Sequence, residues 1–298
     1  MDGKDQMPAA GVPEAVAPGV RRVLAPNPGP MTFWGTNSYL VGEDPVTVID
    51  PGPSGAHCTA LLDAIGGAKV TAILVTHAHL DHSGGAADLA EATGAEVWAF
   101  GPPGAGRSAH MARFASEGAL GGGEGVDQAF RPDTALTDGQ ELEGSGLTAL
   151  HMPGHFPGHL CFGLGELVFS GDLVVGWSTT LISPPDGDVA AFMASCRRLR
   201  SMAPRRLLPG HGPPVEDPVT RIDALIAHRE MREQEIVGAL ADGPSTASDL
   251  AARIYRDLDP GLKSAATRNV LAHLIDLSER GEAKAEPDLS VGARWHLP

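Results

Sequence analysis

The stretch Thr76-His77-Ala78-His79-Leu80-Asp81-His82-Ser83-Gly84-Gly85 sets three imidazoles and a carboxylate within six residues. It directly follows the apolar, strand-length run Val70–Val75 and leads into a helix candidate over Gly85–Thr93. Four metal-capable groups therefore crowd a strand-to-helix turn, where a rigid scaffold can hold functional side chains in loops.

Three further pieces share that plan. His155 follows the run Leu147–Met152, Asp172 follows Leu167–Phe169, and His211 follows Arg206–Leu208. Loops that each leave a strand can converge at one sheet edge. His77, His79, Asp81, His82, His155, Asp172 and His211 are too many for one tetrahedral zinc, and suit two ions sharing a carboxylate. Imidazole with carboxylate favours two Zn2+, although Mn2+ or Fe also fit this donor set. Two such cations would lower the pKa of a shared water from about 15.7 to roughly 7, making hydroxide available at neutral pH.

Further out, short apolar runs alternate with helix candidates over Cys58–Ile65 and Val189–Met202, which indicates an α/β layered core. The 298 residues exceed what one compact core usually organises. Residues 1–19, rich in Pro, Ala and Gly, read as a loose leader, and residues 20–215 as the catalytic domain. Residues 216–298 hold three helix candidates and a hairpin-like tail, a winged-helix-like C-terminal domain. Ser245 or Thr246 is the expected cap of its second helix.

Charge limits the partners. The formal net charge is −15, and Glu216–Pro298 alone carries 15 acidic and 10 basic residues. A winged helix that reads DNA needs a basic face, so sequence-specific DNA binding is not expected. A lid, a wall of the substrate cleft or a homodimer contact is the expected role, and removing this module is expected to harm substrate selection more than metal content. Three scattered cysteines argue against a disulfide framework and for a reducing, cytoplasmic location. No apolar run approaches membrane-spanning length.

The ligand series resembles the metallo-β-lactamase superfamily over most of Val20–Pro214. Asn27-Pro28-Gly29-Pro30, Gly35-Thr36-Asn37-Ser38-Tyr39-Leu40 and Pro153-Gly154-His155-Phe156-Pro157-Gly158-His159, with the helical C-terminal module, are similar to the β-lactamase-like protein 2 family. The resemblance implies a four-layer αββα sandwich with a dinuclear zinc site at the sheet edges. It further implies His77, His79 and His155 on one metal, Asp81, His82 and His211 on the other, and Asp172 between them. Animal members are single-strand RNA endonucleases. This chain departs from the pattern in carrying Phe156 where threonine is usual, and it has no room for the large extra domain of the nuclease branch.

Asp50, closing Val46–Ile49, reads either as a hydrogen-bond partner of a histidine ligand, as the resemblance implies, or as a plain turn carboxylate. His159 is expected behind the ligands or facing substrate, Asn37 at the cleft border, and Trp177 in a loop that contacts substrate or simply packs. Together these readings indicate hydrolysis of an ester, thioester, lactone or phosphodiester by metal-bound hydroxide. Asp172 would bridge the metals, and Asp81 would orient the water or accept a proton. The substrate would be a small-molecule ester or thioester, or single-stranded RNA. Oxidation of a sulfur substrate by a single iron is the alternative of another class, and the intact second ligand set argues against it.

Overall fold

A computed structural model describes residues 7–298. Seven strands form the first sheet in chain order: β1 (Glu14–Ala17), β2 (Val20–Leu24), β3 (Asn37–Val41), β4 (Val46–Ile49), β5 (Val70–Leu74), β6 (Val97–Ala99) and β7 (Thr134–Ala135). The strands from β1 to β4 pair antiparallel, and those from β4 to β7 parallel. The second sheet comprises β8 (Glu141–Leu142), β9 (Leu147–His151), β10 (Leu160–Leu164), β11 (Leu167–Gly171) and β12 (Arg206–Pro209), in the order β12-β11-β10-β9-β8.

The two-residue period of the strands explains why the sheets stack. Tyr39, Val41, Ile49, Ala72 and Leu74 face Ala149, Leu160, Phe162, Phe169 and Leu208 across the space between the sheets. Their neighbours Leu40, Val48 and Ile73 point outward onto α1 (Ala56–Ile65) and α3 (Ala86–Thr93), through Leu61 and Leu89. On the far side Leu150, Cys161, Val168 and Leu207 meet Phe192 and Leu199 of α5 (Val189–Met202), with Ile222 and Leu225 of α6 (Pro218–Ala241). This is the αββα sandwich that the resemblance implied. At roughly 25 cal/mol per Å² of apolar surface, such two-sided burial is the main stabilising contribution.

Two parts differ from the sequence reading. Glu14–Ala17, expected within a loose leader, is an edge strand tied to β2, with Glu14 accepting from Arg22 Nη2 at 2.6 Å; residues 1–6 of that leader lie outside the described residues. A helix that the sequence did not suggest, α4 (Ala109–Glu117), buries Met111 and Phe114 against the C-terminal core.

The C-terminal module follows as α6, α7 (Ala247–Ile254) and α8 (Lys263–Glu279), with a small sheet of β13 (Ser245–Thr246), β15 (Arg294–His296) and β14 (Lys284–Glu286). Thr246 caps α7 in a reciprocal capping box with Asp249. Helix α6 belongs to both units. Its first half packs Ile222 and Leu225 on the second sheet's helical layer, and its second half packs Ile236 and Leu240 in the module. No helix among the described residues is long and apolar enough to cross a membrane.

Candidate metal centre

Four strand ends deliver the seven predicted residues to one place. β5 runs into His77 and His79, and a one-turn helix, α2 (Leu80–Ser83), carries Asp81 and His82. The loops after β9, β11 and β12 bring His155, Asp172 and His211. Three groups result, each with donor atoms mutually within 4.8 Å: His77, His79 and His155; His77, His82 and Asp172; Asp81, His82 and His211. His77 Nε2 lies 2.8 Å from His79 Nδ1, and His155 Nε2 lies 3.2 Å from that same atom. On the other side His211 Nε2 lies 3.3 Å from both Asp81 Oδ2 and Asp172 Oδ2, and His82 Nε2 is 3.5 Å from Asp172 Oδ1. The Asp172 carboxylate stands between the two groups, with Oδ2 also 3.8 Å from His155 Nε2. Ring nitrogens this close need either a shared proton or a cation between them, and the donor set fits divalent metal.

The outer nitrogens explain why the inner ones are free to ligate. His155 Nδ1 faces Leu181 O at 2.7 Å, His211 Nδ1 faces Gly35 O at 3.1 Å, and His82 Nδ1 faces Asp50 Oδ2 at 2.9 Å. Each carbonyl or carboxylate can only accept, which puts the proton on Nδ1 and the lone pair on Nε2, toward the cluster. His77 Nδ1 meets Thr76 Oγ1 at 3.0 Å, and that hydroxyl donates to Asp50 Oδ2 at 2.8 Å. Asp50 also accepts the Thr76 backbone N–H at 2.7 Å, so one buried carboxylate orients two rings, His82 directly and His77 through Thr76. Of the two readings of Asp50, the hydrogen-bond partner is the one the geometry supports. Its φ of 52° lies in the left-handed region that Asp and Asn tolerate best.

Gly210 has its own reason to be glycine. A Cβ there would lie 2.5 Å from Asp172 Oδ1 and 2.7 Å from His82 Cε1, so only a bare backbone passes beneath the cluster.

The remaining predicted residues sit behind the centre. His159 is fully buried and accepts the Asp172 backbone N–H on Nε2 at 3.1 Å, which fixes the loop and leaves no face toward substrate. Asn37, expected at the cleft border, is also buried. Its amide donates to Pro209 O and Gly212 O, each at 2.9 Å, and so holds the turn carrying His211. Trp177 stacks on Phe33 at 4.8 Å between ring centroids and lines a neighbouring cavity rather than the metal cleft. Phe156 is buried under the rings of His79 and His77, at 5.1 and 5.8 Å.

The sequence reading missed the cleft walls. An opening of about 330 Å³ above the cluster is lined by Met31, Thr32, Gly123–Val126, Leu181, Ser183 and Asp186. It also missed Thr36, a buried hydroxyl donating to Asp81 Oδ2 at 3.1 Å and held by Asn27. Both residues stand in the quoted motifs, which was the available signal.

Electrostatics divide the cluster. Burial, reinforced by the other rings, holds His77 well below the ordinary imidazole range and takes His79 down to about 3. Burial also lowers His155, against the pull of Asp172. Burial would lower His82 and His211 too, but the carboxylates outweigh it. Asp81 and Asp172 hold His82 well above its usual range, and Asp172 raises His211 to about 9. The same contacts overcome burial at Asp81 and Asp172 and keep both ionised. Without metal, His82 and His211 are thus protonated at pH 7, and a metal must displace those protons because ligating imidazoles are neutral. Zinc binding to metal-free protein is expected to release roughly one to two protons per chain at pH 7. The imidazole share of that release should fade as pH rises through about 9, while a proton lost from metal-bound water persists. Calorimetry in buffers of different ionisation enthalpy measures this, and no release at pH 7 would contradict the raised imidazoles.

Asp50→Asn tests the orienting carboxylate, since Asn tolerates the same φ. It is expected to weaken metal affinity about tenfold, read by chelator competition. Unchanged affinity would reduce Asp50 to a turn residue.

Residues 31–211 match the metallo-beta-lactamase superfamily, and residues 246–295 match the beta-lactamase associated winged helix domain. A beta-lactamase-like protein 2 homolog of Drosophila melanogaster is 30% identical over 279 residues, covering 89% of each chain. An atrochrysone carboxyl ACP thioesterase of Aspergillus fumigatus is 29% identical over 265 residues, covering 81% of this chain and 75% of its own. A solved beta-lactamase domain protein from Burkholderia ambifaria superposes with a TM-score of 0.78 at 27% identity, covering 99% of this chain and 96% of its own.

Proposed function

Since the chain belongs to the metallo-beta-lactamase superfamily, alongside the beta-lactamase-like protein 2 homologues, we propose that it is a dinuclear zinc hydrolase of uncharged thioesters or esters. The observation that carries this reading is the seven-donor cluster with Asp172 between its two sides, opening into a cleft that no Lys or Arg among the described residues lines.

His77, His79 and His155 would hold one ion, Asp81, His82 and His211 the other, and Asp172 both. Bound divalent metal makes water acidic and polarises a carbonyl. The chain's own groups do the rest. Asp81, 29% exposed while His82 and His211 beside it are buried, presents its carboxylate to the cleft, and Thr36 fixes its rotamer through Oδ2. In that position it orients the attacking water and takes a proton from it. The new C–O bond forms at the acyl carbon, and the C–S or C–O bond breaks with its electron pair on the leaving group. That group takes up the proton.

Glu124 on the cleft wall disfavours a polyanion, while Asp186 beside it is already paired with Arg107, and a neutral acyl carbonyl is the better guest. The thioesterase name of the Aspergillus relative points the same way.

The test sets a panel of small thioesters and esters beside a labelled single-stranded RNA, with and without chelator, together with metal analysis. Thioester turnover that chelator removes, with about two zinc per chain, supports the proposal. Metal-dependent RNA cleavage without thioester turnover would replace it with a ribonuclease. About one iron per chain would favour sulfur oxidation.

A further inference from the structure

A second cavity of about 210 Å³ opens beside the metal cleft, where the C-terminal module meets the sandwich. Met31 and Leu181 line both spaces, so the two are adjoining chambers with common walls. Leu181 is also the residue whose carbonyl orients the His155 ring, which puts the partition immediately beside the cluster. On the sandwich side the second chamber is walled by Val175 and Trp177, and on the module side by Leu258, Leu262, Ala265 and Ala266. The rest of its wall includes the polar Ser178, Thr179, His228, Tyr255 and Asn269, but no acidic or Lys/Arg side chain among the described residues, whereas Glu124 and the Arg107-paired Asp186 line the first chamber.

We infer that this interdomain chamber is the acyl subsite. It would take the apolar part of a medium-length aliphatic or aromatic acyl group whose carbonyl lies at the metal cluster, while the leaving group departs along the Gly123–Gly125 side. The inference rests on the ester and thioester reading above. The direction of the substrate follows from the walls, since an apolar chain gains by leaving water only where it meets apolar surface. The metal cleft, with Glu124, Asp81 and the imidazoles among its lining, is the more polar of the two and suits it less. The module thereby supplies one wall of the substrate site and sets chain length, whereas the sandwich supplies the chemistry.

Ala265 lies half-buried in the first turn of α8, so a larger side chain there projects into the chamber without entering the module's core. The experiment compares zinc-loaded wild-type protein with Ala265→Trp and the small control Ala265→Ser. Acetyl, octanoyl and benzoyl thioesters of one small thiol are the substrates, and octanoate binding is followed by calorimetry.

Wild type is expected to prefer octanoyl or benzoyl over acetyl. In Ala265→Trp, kcat/KM for the longer acyl groups should fall at least about tenfold, chiefly through KM and by far more than for acetyl, with zinc content kept. Ala265→Ser should behave as wild type. Indifference to acyl length in wild type, or an equal fall for acetyl and octanoyl in Ala265→Trp, would overturn the subsite while leaving the thioesterase reading standing. Octanoate binding that Ala265→Trp abolishes, in a protein that hydrolyses no thioester, would keep the chamber and remove that reading.

Discussion

Asp172→Asn is expected to lower turnover at least about a hundredfold and to remove one metal ion per chain, with little change in the fold. The carboxylate stands between both donor groups, 3.3 Å from His211 Nε2 and 3.8 Å from His155 Nε2 through one oxygen, and 3.5 Å from His82 Nε2 through the other. An amide keeps the shape but has a single acceptor oxygen and no charge, so it cannot serve two cations at once. The loop should keep its course, because His159 holds the backbone N–H of residue 172 and not its side chain. Metal content by mass spectrometry, kcat on whichever substrate is found, and circular dichroism check the three parts. Full activity with two bound ions would remove Asp172 from its bridging place.

Arg229→Met is expected to weaken the ion held by His77, His79 and His155 by tens of fold, although Arg229 touches none of them. Arg229 is 2% exposed. Its Nη2 donates to Thr180 O, and its Nη1 to Asn269 Oδ1 at 3.1 Å. Asn269 Oδ1 also accepts from the Ile182 backbone N–H at 3.0 Å. Arg221 donates to Val175 O and Ser178 O, and Arg268 to Ser183 Oγ. Four side chains of α6 and α8 therefore clamp the loop between Asp172 and α5, and that loop carries the Leu181 carbonyl that orients His155.

Methionine keeps the volume and removes the donors. Burial already draws the Arg229 guanidinium down to about 10. Removing a buried cation returns part of the lost hydrogen-bond energy, so the net stability loss should be only about 1–2 kcal/mol, or roughly 3–6 °C in Tm. Chelator competition resolved for the two ions separates the loss of one site from a general loosening, and equal weakening of both would reduce the clamp to ordinary packing. From the sequence, removing the module is expected to harm substrate selection more than metal content; the clamp adds that truncation before α6 should also weaken metal binding at His155.

The cluster was legible because each ligand follows an apolar run, and a run of β-branched residues marks a strand end wherever tertiary contacts later place it. Val70–Val75, Leu147–Met152 and Leu167–Phe169 each emerge as strands within two residues at either end. β1, β7, β8 and β13 are two to four residues long, too short for alternation to appear. Helix α4 is only nine residues long and has just two large apolar side chains, Met111 and Phe114, too few turns for the pattern to repeat before Gly118. Asn37 and His159 have the polarity of cleft residues, yet they face inward, because nothing in their local sequence says which side of a loop the ligands will occupy. Met31, Glu124 and Leu181 stand far apart in the chain and meet only through the fold.

The first four ligands, His77 to His82, leave the first sheet, while His155, Asp172 and His211 leave the second. Neither sheet alone owns a complete donor group. Each donor group is therefore a product of the packed sandwich: with only one sheet in place, part of every group is present and none is complete.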